Sequence, residues 1–298
     1  MSILSSTQGT PERVWSLVSI IAANDGKIER TEASDWLNPG FVRDQQKVVE
    51  KSEAFGQVLG AATALGAVQV EGKLLQLHPT CPTGDIAAFA DWCHDQLCAL
   101  TSDQKDAVIL ETYAWVAARS LELRETRWFG VMPREELADA ADRALPEGKD
   151  DDGERRINTS KLASWRRWLR FFGLMEELPL TAAKPHPSST LRLEREIAKS
   201  TLPRDTEIPA DEFLAAFRTS MPYLDGGRMF FESMRRQGFT ADSKILSPIL
   251  SSALRDLHDA GTIELGILGD LSSYVGMTGD NNHRVSEFHA VEIRGAAS

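Results

Sequence analysis

Residues 55–77 read FGQVLGAATALGAVQVEGKLLQL, and this stretch decides the fold class that the sequence predicts. Its apolar residues recur close to helical spacing at Phe55, Val58, Leu59, Ala62 and Leu65. Gly66 is expected to end that helix. Two strand-like runs follow at 67–70 and 73–77, joined by a tight turn at Glu71-Gly72. A helix followed at once by a hairpin is typical of the half of a winged helix that carries the wing.

The residues before this stretch predict the remaining helices of the same unit. One side of a first helix is formed by apolar residues at Val14, Leu17, Val18, Ile20 and Ile21. Thr31 is expected to cap a short helix that runs to Leu37 and stops at Asn38-Pro39-Gly40. The order of helix, short helix, long helix and hairpin is that of a winged helix-turn-helix.

A second copy of the pattern centres on residues 158–174, NTSKLASWRRWLRFFGL. Thr159 is a candidate N-cap, and Gly173 is expected to close the helix. The residues expected to face inward are Leu162, Trp165, Leu169 and Phe172. Two helices, near 86–100 and 103–121, are predicted to precede it.

A third copy places Leu250, Ala253, Leu254 and Leu257 on one helix face before Gly261. Its wing strands are predicted at 262–265 and 288–293, with a long wing tip between them at 266–284. Helices near 211–220 and 229–237 complete the unit. The predicted fold class is therefore mainly α with small β-hairpin wings, in tandem winged-helix-like units at residues 1–80, 81–204 and 205–298. The alternative is an ordinary α+β protein without a repeated unit.

The composition fits a globular chain without membrane or secretory features. Of its 298 residues, 42% are hydrophobic and 26% charged, which allows each unit a core. No apolar run reaches the length needed to cross a bilayer, and the first residues lack the pattern of a secretory signal. We expect a cytoplasmic protein. The net charge of −11 favours protein partners over nonspecific coating of nucleic acid.

One basic cluster departs from this acidic background. Six cations lie within residues 155–170 without an intervening acid: Arg155, Arg156, Lys161, Arg166, Arg167 and Arg170. On the predicted helix Arg166 and Arg170 share a face, with Arg167 beside them. A basic outer face on this helix suits contact with phosphates, so we predict that these residues bind nucleic acid. They would alternatively pair with the acidic loop at 150–154 or with a partner protein.

No catalytic or metal site is predicted. His78, Cys81, Cys93, His94 and Cys98 offer metal-ligand atoms, but no Cys-x-x-Cys pair exists and Cys93 falls on an apolar helix face. Core cysteines are the better interpretation. Nucleophile-elbow and zinc-protease motifs are absent from the sequence. We expect a protein that is not an enzyme and needs no cofactor.

Three segments carry a resemblance to a known family. They are the start of the chain through Thr10-Pro11-Glu12-Arg13-Val14-Trp15, residues 64–68, and residues 165–174. Together they resemble the DpdG family, accessory components of bacterial gene clusters that insert 7-deazaguanine derivatives into DNA and restrict DNA lacking them. The resemblance implies a DNA-modification or defence setting, with DNA and other subunits of the complex as partners, and it supplies no catalytic residues.

A second resemblance competes with the first. The acidity and the repeated units are similar to the tandem winged-helix subunits that clamp kleisins in bacterial chromosome-organising complexes. That resemblance implies a purely protein-binding subunit of a larger ATPase assembly. A transcriptional regulator is a further alternative, although two of the three candidate recognition helices lack a basic face. Homo-oligomerisation stays open.

Overall fold

The computed structural model describes residues 2–37, 53–146, 153, 155–177, 185–266, 274–280 and 282–295. The helices are α1 (Pro11–Ala22), α2 (Arg30–Leu37), α3 (Glu53–Ala64), α4 (Ile86–Cys98), α5 (Val108–Leu123), α6 (Arg127–Val131), α7 (Arg134–Ala144), α8 (Lys161–Phe172), α9 (Thr190–Lys199), α10 (Ala210–Ala216), α11 (Arg228–Arg236) and α12 (Pro248–Asp259). The strands are β1 (Lys27–Glu29), β2 (Val68–Glu71), β3 (Leu74–Leu77), β4 (Met175–Glu176), β5 (His186–Pro187), β6 (Glu207–Pro209), β7 (Ile263–Gly266), β8 (Val275–Gly276), β9 (Glu287–Phe288) and β10 (Ala290–Ile293). A mainly helical chain with small antiparallel sheets is thus confirmed. None of the helices in these residues has the length and apolarity that a membrane crossing requires.

The chain packs into two compact units that are interleaved in sequence. The first consists of Met1–Ala107 and Gly148–Phe171, and the second of Val108–Glu147 and Phe172–Ser298. The predicted middle segment, 81–204, contributes to both units. The predicted boundaries at 80 and 204 were placed from the repeated sequence pattern, and they stay a prediction.

The first helix of the first unit, α1, has a start and a buried face that are both set by its sequence. The Thr10 hydroxyl caps α1 by accepting a hydrogen bond from the Arg13 amide, and Pro11 occupies the first turn. The predicted inward residues of α1 are fully buried, apart from half-buried Ile20. The predicted inward residues of α3 are buried too, and α1 packs directly on α3.

A three-stranded sheet closes this unit, in the order β1-β3-β2. Glu71 pairs with Leu74, so the two-residue turn is Gly72-Lys73, one residue later than predicted. Gly72 has a φ of +63°, which a residue with a side chain adopts only at a cost. The short helix α2 begins at Arg30, directly after β1, and the Arg30 amide donates to the Lys73 carbonyl at 2.8 Å. Its predicted stop at 38–40 lies outside the described residues.

The second unit is organised around α5, which is buried along almost its whole length and packs against α7, α11 and α12. α5 begins at Val108 rather than near 103, because residues 105–107 form a short 3-10 helix. Two further helices, α6 and α7, follow where the sequence had predicted none. The pair β4 and β5 forms a small hairpin, with Met175 opposite Pro187.

The end of the second unit has an order of elements similar to that at the start of the first, with one further helix and with β8 and β9 between the last two strands of the sheet. After α9 come β6, then α10, α11 and α12, and then β7 and β10 in a sheet ordered β6-β10-β7. Val291 of β10 lies opposite Ile208 on one side and Leu265 on the other. The predicted strands at 262–265 and 288–293 are confirmed with their ends shifted by one or two residues. Gly261 ends α12 with a φ of +76°.

A buried arginine holds the segment between β7 and β10 by hydrogen bonds. Arg255 of α12 donates from Nε to the Val285 carbonyl at 3.0 Å and from Nη1 to the Thr278 carbonyl at 2.8 Å. Its guanidinium thus holds the backbone at two points between β7 and β10. A guanidinium suits this position because its N–H groups point in fixed directions.

Candidate nucleic-acid interface

The outer face of α8 is the starting point for the site. The predicted inward residues Leu162, Trp165, Leu169 and Phe172 are all buried, and so is Trp168. Arg167 and Arg170 are exposed on the other side. Asn158 caps the helix, since its Oδ1 accepts from the Lys161 amide at 3.0 Å; the predicted cap, Thr159, is the next residue. The helix therefore presents two arginines outward from a firmly packed base.

Two of the six predicted basic residues lie inside the protein. Arg156 is 7% exposed, and its Nη2 donates to the Gln104 carbonyl at 3.3 Å. Lys161 is 4% exposed, and its Nζ donates to the Arg155 carbonyl at 2.7 Å. These side chains fix the segment that leads into α8, so they are not part of the surface that meets a ligand. The others are surface residues, Arg155 fully and Arg166 in part.

Arg167 and Arg170 form one wall of a cleft of about 700 Å³ within the first unit. The opposite wall is the start of α1 and the loop before it. The residues that line the cleft are Thr7, Gln8, Thr10, Glu12, Arg13, Arg167, Arg170 and Phe171. Arg166, predicted to share a face with Arg170, is not among them. The cleft thus joins three guanidinium groups, two from α8 and one from α1.

The loop that forms the second wall is held against α3. The Gln57 Oε1 atom accepts from the Gln8 amide at 2.9 Å and from the Thr7 hydroxyl at 3.3 Å. Gly9 lies so close to α3 that a Cβ atom there would be 2.8 Å from the Cβ of Ala61. Because no larger residue fits at Gly9 without a shift, this glycine sets the position of the wall and of Arg13 behind it.

The charge balance of the cleft is positive. Glu12 is the single acid among its lining residues, against three arginines. Arg13 donates from Nη1 to the Gln8 Oε1 atom, which orients the guanidinium without neutralising it. In the part of the chain that the structure describes, Arg167 has no hydrogen bond or ion pair. The first turn of α1 adds the partial positive charge of a helix N-terminus. An anion is therefore the ligand that this site favours.

Aromatic contacts hold the surrounding helices in place. The ring of Phe171 lies 6.0 Å from that of Phe89 on α4 and 5.8 Å from that of Trp168. Phe89 in turn lies 5.3 Å from Trp15 on α1. Since these contacts connect α1, α4 and α8, the three arginines are carried by helices that are packed together.

Of the cleft residues that were not predicted from the sequence, Arg13 and Phe171 matter most for binding. Arg13 was quoted only as part of a resemblance, and Phe171 only within longer stretches; the two stand more than a hundred and fifty residues apart. The signal available in the sequence was Arg13 itself, a basic residue on the polar side of the amphipathic helix α1, in its first turn after the N-cap Thr10. That signal is common on helix surfaces and does not indicate which other helix lies opposite.

The three cysteines of the first unit are buried or half-buried. Cys93 is fully buried and Cys81 nearly so, as expected for core cysteines, while Cys98 is half-buried. Burial raises the pKa of Cys81 to about 11, which keeps it a neutral thiol near neutral pH. Thiolate chemistry therefore has no support at Cys81.

The comparisons with known proteins give one match. A family model described as DpdG-like matches residues 1–270. The comparisons with curated proteins and with solved structures give no match. The matched range includes all the segments on which the resemblance was drawn and every residue of the cleft. The chain therefore belongs to the DpdG-like family.

Proposed function

We propose that this protein is a non-enzymatic accessory subunit of a bacterial DNA-modification or defence complex, and that it contacts DNA through α8 and the cleft beside it. Membership of the DpdG-like family suggests a role in the DNA-modification system. The observation that carries the DNA contact is the convergence of Arg13, Arg167 and Arg170 on one cleft. Clustered arginines bind phosphate in bidentate geometry.

The order of elements supports winged-helix elements in both units. In each, a helix and a strand precede a set of helices, and two further strands complete a small sheet. In each sheet the last strand lies between the first and the second, as β1-β3-β2 and β6-β10-β7. Folds of this kind host both DNA-binding and protein-binding functions, so the assignment rests on the surface of each unit.

A charge-reversal experiment tests the DNA contact. We expect the double variant R167E/R170E to lower the affinity for labelled duplex or single-stranded DNA by about tenfold or more at moderate salt. We also expect the slope of log affinity against log salt to become shallower by about 0.7 to 0.9 for each phosphate contact that is lost. Fluorescence anisotropy over a salt series measures both quantities.

The matched control is R228E/R235E, two exposed arginines on α11 of the second unit. It changes the net charge by the same amount and is expected to retain most of the affinity. Absence of binding by the wild type at low salt would overturn the proposal, and so would an equal loss in the control.

A second candidate is a protein-binding subunit without DNA contact. It is favoured by the net charge of −11 and by two exposed apolar residues on the β2–β3 hairpin, Val70 and Leu74, at 42% and 43%. Exposed apolar side chains at a hairpin are suited to a protein partner. Affinity purification of wild type and of a V70S/L74S variant separates the candidates, because only a partner held by the hairpin is lost from the variant.

A further inference from the structure

We propose that the cleft of the first unit binds an unpaired DNA strand, with a phosphate on Arg13, Arg167 and Arg170 and a base against Phe171, rather than the groove of a duplex. The inference rests on the proposed function, because it names the form of DNA that the same site takes. It follows from the shape of the site, from its aromatic residue and from the two helices that supply its arginines.

The shape of the site disfavours a duplex. A helix that reads the major groove must project into a channel about 12 Å wide, with its outer face unobstructed. Here the outer face of α8 at Arg167 and Arg170 is one wall of a concave cleft, and the loop at residues 7–10 is the other. The volume of about 700 Å³ falls in the range of sites that enclose small ligands, about 300–1,000 Å³. It is suited to one or two nucleotides.

The aromatic residue gives the cleft an apolar contact for a base. Phe171 is half-buried, and its ring is supported from behind by Phe89 and Trp168. The remaining exposed part of the ring belongs to the lining of the cleft. Proteins that bind single strands combine a basic groove with such a ring, since every base has a face that can stack. In a duplex the bases are already stacked on each other and leave this ring without a partner.

The donors of the cleft converge from two sides. Arg13 approaches from α1, whereas Arg167 and Arg170 approach from α8. A phosphate in the cleft would be contacted from both helices, which a strand that passes through the cleft allows. Phosphates on the convex surface of a duplex would meet one wall at a time. Glu12, the one acid of the lining, repels a second anion at the α1 side and favours one backbone path.

Anisotropy measurements with the full chain test the inference. The probes are a short labelled thymidine oligonucleotide and a duplex of the same length. We expect the single strand to bind at least about tenfold more tightly than the duplex, because only the strand engages both the ring and the opposed arginines. The variant Phe171→Leu keeps an apolar side chain and is expected to lose about fivefold or more in single-strand affinity, with unchanged weak duplex binding.

A second variant tests the inference without changing Phe171, whose replacement could also disturb the fold. Arg13→Gln changes an exposed side chain and is expected to weaken the single strand several-fold while circular dichroism and the unfolding midpoint stay unchanged. If the duplex binds as tightly as the strand and depends on Arg167 and Arg170 but not on Arg13 or Phe171, the single-strand inference is wrong and the proposed function stands. If neither form binds at low salt, both are wrong.

Discussion

At the scale of single residues, burial separates cations that look alike in the sequence. Arg156 and Lys161 stand in the same run as Arg167 and Arg170, yet the first two donate to backbone carbonyls inside the first unit. Long cationic side chains are able to follow apolar surface and place their charged end on a carbonyl. The basic cluster was therefore predictable from the sequence. Which of its residues are buried and which are exposed was not predictable, because that depends on the side of the chain on which the core lies.

Asp225, a half-buried residue of the second unit, gives a prediction about pH. Asp225 accepts hydrogen bonds at 2.6 Å from both the amide and the hydroxyl of Ser247, the residue that caps α12. Burial raises the pKa of Asp225 above its ordinary value of 3.8, although the bonds from Ser247 oppose this. A raised pKa in the folded state means that the stabilising contribution is complete below the unfolded value and is lost as the pH rises through the folded value.

We compare the free energy of unfolding of the wild type with that of Asp225→Asn, whose side chain stays neutral. The difference, wild type minus variant, should be largest below pH 3.8 and fall with rising pH before it levels off. The slope cannot exceed about 1.4 kcal/mol per pH unit for one carboxyl group. Urea unfolding over a pH series measures it. A difference that grows with pH would show instead that the bonds from Ser247 outweigh burial.

At the scale of elements, the helices and hairpins that the sequence predicts best are those bounded by glycine. Gly66, Gly173 and Gly261 end α3, α8 and α12, and each has a positive φ. For α8, part of the structure was predictable and part was not. Its inward face and its end were predictable from spacing, whereas the residues across the cleft were not, because nothing in α8 indicates that α1 lies opposite. The 3-10 turn before α5 was missed as well, since local propensity does not distinguish it from the first turn of an α-helix.

Two glycines, one inside α3 and one at its end, are predicted to change the free energy of unfolding in opposite directions when replaced by alanine. Gly66 ends α3 at a φ of +74°, and Gly56 lies within α3; neither has an atom within 4 Å of an added Cβ. Gly66→Ala should destabilise the protein by about 1 kcal/mol, because alanine is strained at a positive φ. Gly56→Ala should stabilise it by about 0.5 to 1 kcal/mol, because alanine favours the helix. Urea unfolding of each variant gives the two signs, and a shared sign would contradict the assignment of the helix end.

At the scale of the whole molecule, packing interleaves segments that look separate along the chain. α12 packs against α9 and α5, and α11 packs against α5. Both α5 and α9 precede residue 204, so the predicted boundary cuts through contacts of the second unit. The acidic net charge also acts at this scale. It restricts the proposed DNA contact to one local site, and binding through such a site is expected to weaken steeply with salt.

Two fragments test the interleaving. Residues 205–298 lack α5 and α9, so the inner faces of α11 and α12 would be exposed to water. We expect this fragment to show no cooperative unfolding transition in urea, as followed by circular dichroism. Residues 108–298 contain every described helix of the second unit and should unfold cooperatively. Cooperative unfolding of both would establish 205–298 as an independent domain.

The sequence by itself determined the helical class, the inward faces of α3, α8 and α12, the pairs of strands that close the sheets, and the basic character of α8. These features depend on residues a few positions apart, whose period and turn chemistry are visible in a linear pattern. Only the tertiary structure decided that Arg13 lines the same cleft as Arg167 and Arg170, and that Arg156 and Lys161 are interior. Such contacts join residues distant in sequence, and the side chain that reaches a given neighbour is fixed by how the helices pack, which no local pattern records.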